Sequence, residues 1–163
     1  MTDFQIIENF LDKKIHEEIK NTMLGIKFPW YYANKVTNYD PVQDFIFNHI
    51  FWRDNEPVSN FFPTIVMPII GNLKFNYLHR IKANAYTKKK KHIMHGFHTD
   101  TFRPHIVALY SINSNNGFTE FENGKKIESI ENRMVIFDGS IKHRSVTQTD
   151  EDLRVNINFD LII

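Results

Sequence analysis

The sequence predicts a mainly β domain: an antiparallel sandwich or barrel in the C-terminal half, with helices on its N-terminal side. Three observations predict it. From about Leu73 onward, runs rich in Ile, Val, Phe and Tyr are broken at close intervals by turn residues, namely Asn115-Asn116-Gly117, Asn123-Gly124 and Asp138-Gly139. Arg154 to Leu161 alternates polar and apolar residues without exception, the two-residue period of a strand. Ahead of these, Phe4, Ile7, Phe10, Leu11, Ile15 and Ile19 recur at helical spacing through to about Met23, with Asp3 placed to cap the start.

The remaining N-terminal segments are less regular. A mixed stretch around Val42 to Phe51 is expected to form a second helix, after which Pro57, Pro63 and Pro68 break up any regular element. The expectation is one domain over residues 1–163, with 1–72 mostly helical support and 73–163 the β core. No internal repeat or low-complexity linker interrupts it.

Composition narrows the chemistry. Hydrophobic residues at 42% and charged residues at 24% are ordinary globular values. No run of about 18 apolar residues suggests a membrane span, and the opening MTDFQIIENF lacks the basic start of a secretory signal. A cytoplasmic protein is therefore expected. With no cysteine, disulfides, iron–sulfur clusters and thiolate zinc sites are excluded, and any metal must sit on His, Asp or Glu. A net charge of +1 makes no general case for nucleic acid or an anionic membrane. The unusual feature is eight histidines, several of them between residues 92 and 105.

Within HGFHTD, residues 95–100, His98 and Asp100 stand two apart and share a face if the segment is a strand. One imidazole and one carboxylate, joined by a distant second His, make a facial triad that binds Fe(II) and leaves positions open for chemistry. About one His-x-Asp/Glu is expected by chance in such a chain. The other occurrence, His16-Glu17-Glu18, lies in the predicted helix, where residues two apart point in different directions. His143 follows Asp100 by 43 residues, behind the strand Met134–Phe137 and the Asp138-Gly139 turn.

Arg154 comes 11 residues after His143 and heads the polar face of the alternating strand. That face is either solvated or the lining of a polar pocket. In the second case Arg154 needs an anion, which a dicarboxylate would supply through two parallel hydrogen bonds. The alternative is a core arginine paired with an acid such as Asp160.

Taken in order, HGFHTD, NSNNGFTEFENGKKI, VIFDGSIKHRSV and LRVNINF resemble the prolyl-4-hydroxylase-like branch of the 2-oxoglutarate/Fe(II) oxygenase superfamily. The likeness is closest to the small members of marine phages and bacteria, and richness in Asn, Lys and Ile suits such an AT-rich origin. It covers roughly residues 73–163. The resemblance implies a double-stranded β-helix, or jelly roll, flanked by N-terminal helices. It implies His98, Asp100 and His143 as iron ligands, and Arg154 as the residue that holds the far carboxylate of 2-oxoglutarate. RIKANAY is similar to the family strand that carries a co-substrate-binding Tyr, which suggests Tyr86 with Asn84 beside it; Tyr86 as a plain core aromatic is the alternative. Asn156, next on the polar face of the alternating strand, is expected beside the co-substrate. Relatives often read Tyr-Tyr-x-Asn where this chain has Tyr110-Ser111-Ile112-Asn113, so Ser111 and Asn113 are expected to face the pocket and Tyr110 to point away.

The resemblance also implies Fe(II), 2-oxoglutarate and O2 as cofactors, release of succinate and CO2, and hydroxylation of a substrate C–H bond. A prolyl or other protein residue is the first expectation for substrate; an oxygenase acting on nucleic acid is the second. From other classes, a non-catalytic metal-binding jelly-roll module would gain nothing from open coordination positions, and a zinc hydrolase would have no use for Arg154. Lys88–Lys91 is either a solvated loop or a contact to an acidic substrate, and the loop 87–97 is the expected lid. His95 faces away from His98, either behind the site or at the surface. Arg103 and Arg144 flank the ligand segments, at the mouth or on the surface.

Overall fold

The computed structural model describes residues 4–38 and 40–163. Among these, eleven strands and two α-helices follow in the order β1 (Phe4–Ile7), α1 (Lys13–Met23), β2 (Tyr31–Ala33), β3 (Ile46–Arg53), β4 (Glu56–Pro57), a π-helical turn (Phe62–Val66) running into α2 (Met67–Ile70), β5 (Tyr77–Thr87), β6 (Ile106–Ser111), β7 (Asn115–Phe121), β8 (Lys126–Ser129), β9 (Met134–Asp138), β10 (His143–Val146) and β11 (Leu153–Ile162). No helix among them is long and apolar enough to cross a membrane.

The strands form two antiparallel sheets. The large one runs β1-β9-β6-β11-β5-β3-β2, with β4 paired to the side of β3; the small one runs β10-β7-β8. Residues Ile93 to His98 extend the small sheet beyond β10 through backbone bonds at His95, His98, His143 and Thr147. The period of two sorts the large sheet into two faces. Outward-facing Ile81, Ala83, Tyr110, Met134, Val155, Ile157 and Phe159 form the main core with α1 and with Ile65, Val66 and Ile69. The inner face meets the small sheet over a second cluster of Val107, Phe121, Ile127, Val135 and Phe137.

The N-terminal third departs from expectation. Asp3 lies outside the described residues. Phe4–Ile7 is not helix but an edge strand on β9, because pairing with Met134–Phe137 outweighs a weak local helical spacing. Asn9, at φ 49°, turns the chain, and Asp12 caps α1 by accepting from the Lys14 N–H at 2.9 Å. The stretch around Val42 to Phe51 is mainly the strand β3, whose Phe- and Ile-rich sequence finds a ready partner in β5. Pro63 and Pro68 open short helical turns instead of only breaking structure. The first seventy-two residues therefore supply four strands as well as helical support.

One expected turn is also a strand. Asn115-Asn116-Gly117 begins β7 with a bulge between Asn115 and Phe118. A methyl group on Gly117 would lie 2.7 Å from the Arg154 Cδ, so the glycine admits the arginine side chain.

Candidate active site

Two adjacent strands of the large sheet build one wall of the site. In register, Tyr86 lies opposite Arg154, Asn84 opposite Asn156, Lys82 opposite Asn158, and Arg80 opposite Asp160. All eight point to the inner face, and the four of β11 are buried. Of the two readings of the alternating strand, the polar pocket is the one observed. The cavity between the sheets holds about 510 Å³ of space, mouth included, and is lined by Lys82, Asn84, Tyr86, Asn156, Asn158 and Arg154 on this side. Thr119, His143 and Ser145 line it from the small sheet, His98 and Asp100 from the segment beside it, and Val36, Val107, Leu109 and Phe137 supply apolar surface.

The three expected metal ligands come together. His98 and His143 form an antiparallel bridge in which each N–H donates to the other's carbonyl at 3.0 Å, so both imidazoles leave the same face. Asp100, in the bend after His98, brings a carboxylate oxygen 3.3 Å from the His143 Nε2. One ligand atom from each of the three lies within 4.8 Å of the others. The His98 Nδ1 sits 3.1 Å from the Gly96 carbonyl and the His143 Nδ1 3.2 Å from that of Ile141. A carbonyl only accepts, so both Nδ1 atoms carry the proton and both Nε2 lone pairs face the cavity.

Asp100 is held from behind. Its Oδ1 accepts from the Arg80 Nη2 at 2.9 Å, while the Arg80 Nε donates to Asp160 at 2.8 Å. The Asp100 Oδ2 is buried without a hydrogen-bond partner. Burial works to raise the Asp100 pKa, but His143 and Arg80 outweigh it and hold the carboxyl well below the usual range. Burial likewise works to lower His143, yet Asp100 leaves it above its ordinary value; burial and His143 together push His98 down. An anionic oxygen without a partner and two inward imidazole lone pairs fit a divalent metal.

Arg154 is 2% exposed. Its Nε donates to the Ser129 hydroxyl at 2.7 Å and its Nη2 to that of Thr119 at 3.1 Å; its guanidinium lies 5.0 Å from the Tyr86 ring centre. The Nη1 has no partner. Asp160, the acid with which it would have paired as a core arginine, belongs to Arg80. Among the described residues no carboxylate reaches Arg154, which leaves a buried cation facing the cavity without its anion.

The other expected residues divide. Tyr86, Asn84 and Asn156 line the cavity, with the Asn84 Nδ2 donating to the Asn156 Oδ1 at 3.1 Å. Ser111 shares the inner face but does not reach the cavity, and Asn113 is spent on the backbone, donating to the Leu153 carbonyl and accepting from the Val155 N–H. Tyr110 points away, onto His16 and Asn132. His95 is fully buried between Ser145 and Asp44, with its ring stacked near Tyr86. Arg144 pairs with Glu120, and neither it nor Arg103 lines the cavity.

The lysine loop is tied down. Lys88 donates to the Asp150 carbonyl at 2.9 Å and Lys89 to Asp44 at 2.5 Å. Val36 reaches the cavity from the segment joining β2 to β3, which Asp44 fastens to Lys89 and His95, and Asp40 to the Gly96 N–H. Arg80, Lys82, Asn158, Thr119 and Ser129 were not anticipated. The first three were within reach, since RIKANAY alternates as LRVNINFD does.

No protein-family model matches the sequence, and no curated protein matches it. Solved structures do. A 2OG-Fe(II) oxygenase family oxidoreductase from Burkholderia pseudomallei aligns at TM-score 0.66 and 10% identity, over 97% of this chain and 84% of that one. A prolyl hydroxylase from Trichoplax adhaerens, in complex with a hypoxia inducible factor peptide fragment, aligns at 0.65 and 15%, over 99% and 84%. The viral collagen prolyl hydroxylase of Paramecium bursaria Chlorella virus-1, as its 2OG complex, aligns at 0.60 and 10%, over 99% and 97%. At these identities the likeness is one of fold: the chain is a double-stranded β-helix of the kind found in the 2OG-Fe(II) oxygenases and prolyl hydroxylases.

Proposed function

We propose that the chain is an Fe(II)- and 2-oxoglutarate-dependent dioxygenase that hydroxylates a C–H bond of a peptide or protein residue. The observation that carries this reading is the pairing, in one cavity, of a two-His-one-Asp set with a buried arginine that lacks an anion. A structural metal site would need only the first of these, and a hydrolase would not need the second.

His98, Asp100 and His143 would hold the iron, and Arg154 the far carboxylate of 2-oxoglutarate. With O2, that pair supplies an oxidant able to take hydrogen from an unactivated carbon, giving succinate and CO2 as co-products. The protein's own contribution is positioning. The Gly96 and Ile141 carbonyls fix both imidazole tautomers, and Arg80 fixes the Asp100 carboxylate. Ser129 and Thr119 orient the Arg154 fork, while Tyr86 covers it from the side. Val36, Val107, Leu109 and Phe137 keep water from the reacting region. A peptide substrate is favoured because a structural neighbour binds one and because Lys88 and Lys89, the start of the basic loop, are consumed internally.

The test is succinate formation from 2-oxoglutarate in the presence of Fe(II), ascorbate and O2. Formation that stops in Asp100→Asn supports the proposal. An equal rate in that variant would show that the site is not responsible.

A further inference from the structure

One charged group in the cavity is left without a role. Lys82 lines it from β5, midway along the polar wall, and its ammonium has no hydrogen-bond or ion-pair partner among the described residues. Its cross-strand neighbour is Asn158, whose Oδ1 is buried and also unpartnered. Two polar side chains with no internal use thus stand side by side in the cavity that His98, Asp100 and His143 also line. Burial, with help from Arg80, pushes the Lys82 pKa below its ordinary value, so the folded protein tolerates this amine at a cost.

A charge balance says what would relieve that cost. Arg80, Arg154 and Lys82 bring three positive charges, against two negative ones on Asp100 and Asp160, both of which pair with Arg80. Resting on the function proposed above, a divalent iron is matched by doubly charged 2-oxoglutarate. One positive charge is then left over, and with Arg154 on the far carboxylate of 2-oxoglutarate it falls on Lys82, which has no ion-pair partner among the described residues. The co-substrate is a poor candidate to supply it. Arg154 stands four residues from Asn158 on β11, about 13 Å of extended strand. A carboxylate gripped by Arg154 is therefore not also at Lys82.

We infer that Lys82 and Asn158 form an anion subsite that recognises a carboxylate on the substrate itself, close to the carbon that is hydroxylated. A carboxylate suits the place better than a phosphate does. The excess is a single positive charge, and the donors are one ammonium and one amide, not the arginine fork or run of backbone N–H groups that phosphate recruits. The amide would complete the subsite, its nitrogen donating to the carboxylate beside the ammonium. The substrate class is thus an acidic residue, or a small molecule with one carboxylate beside its reactive carbon.

The experiment uses the full chain loaded with Ni(II), which is redox-silent, and with 2-oxoglutarate. Calorimetry measures binding of N-acetyl-aspartate amide and N-acetyl-glutamate amide against their asparagine and glutamine counterparts. At least one acidic probe should bind about tenfold or more tightly than its neutral counterpart, and Lys82→Met should abolish that difference while Lys82→Arg retains part of it. The 2-oxoglutarate affinity of Lys82→Met should stay within about threefold of wild type, and the unloaded variant should melt at a higher temperature, since a half-buried ammonium without an ion-pair partner is gone. Equal binding of acidic and neutral probes would overturn the inference, as would a tenfold loss of 2-oxoglutarate affinity in Lys82→Met, which would assign the lysine to the co-substrate. If the wild type takes up metal but no 2-oxoglutarate, the proposed function itself fails, and this subsite with it.

Discussion

At the scale of single residues, the two atoms that matter most are the Asp100 Oδ2 and the Arg154 Nη1, both buried and neither hydrogen-bonded, the Oδ2 having only the His143 Nε2 at 3.3 Å. Leaving a charged group in that state costs several kcal/mol, so each marks a place where a ligand belongs. Arg80 is the less obvious case. It touches no ligand directly but fixes the Asp100 carboxylate, and Arg80→Met should weaken iron binding about 10–100-fold, read by metal titration, with the fold intact by circular dichroism. Gly117→Ala should act on the other end of the site. Its new methyl meets the Arg154 Cδ, and 2-oxoglutarate affinity should fall about five- to tenfold without a matching loss of iron affinity.

The pH dependence belongs here too. His143 is held above its ordinary value of 6.5, and iron requires it neutral. Protons therefore begin to compete with the metal at a pH above 6.5, and iron affinity should decline as pH falls through that region. The apo-protein should show the opposite sign. The His143–Asp100 ion pair stabilises it fully below pH 6.5, and that contribution is lost as pH rises through the raised value. Thermal melts of apo- and metal-loaded protein across this range would read both slopes.

At the scale of elements, β11 and β5 carry the site. Alternation made β11 legible as a strand, and its polar face had two readings that sequence could not separate, because burial depends on what the opposite sheet places there. RIKANAY shows the same period, but the family resemblance points only to its end, at Asn84 and Tyr86, and carries no signal for Arg80 or Lys82. The N-terminal errors have one cause. Phe4–Ile7 and the stretch into Phe51 become strands through partners well over a hundred and about thirty to forty residues away in the sequence, respectively, which local spacing cannot report. These strands also bear on the site. Phe4 packs on Phe121 at 4.4 Å between ring centres, and Phe121 and Phe137 pack around His143. Phe4→Ala, from a half-buried position, should destabilise the protein by about 1–2 kcal/mol, visible as a melting temperature lowered by about 2–8 °C.

At the scale of the whole molecule, β1 extends one edge of the large sheet and β2 to β4 the other, the helices cover its outer face, and the two central strands β5 and β11 make the interior polar. The order of the motifs carried the likeness of fold and pointed to His98, Asp100 and His143, which the structure gathers through an isolated bridge and a bend in place of the expected strand. Ser111 and Asn113 could not be placed that way, since the end of β6 turns aside before reaching the cavity. A binding-site interior that is charged when empty also predicts a marked response to ligands. Iron and 2-oxoglutarate, each at about 100 times its dissociation constant, should each add about 2.7 kcal/mol, raising the melting temperature by about 5–10 °C per ligand.

The most direct measurement is the visible charge-transfer band of the anaerobic Fe(II) protein titrated with 2-oxoglutarate, wild type beside Arg154→Leu. The geometry predicts a band in the wild type, and a variant that still binds iron but needs at least about a hundredfold more 2-oxoglutarate to develop it. A wild type that binds iron and shows no band, or a variant that titrates as the wild type does, would contradict the assignment of this cavity to the co-substrate.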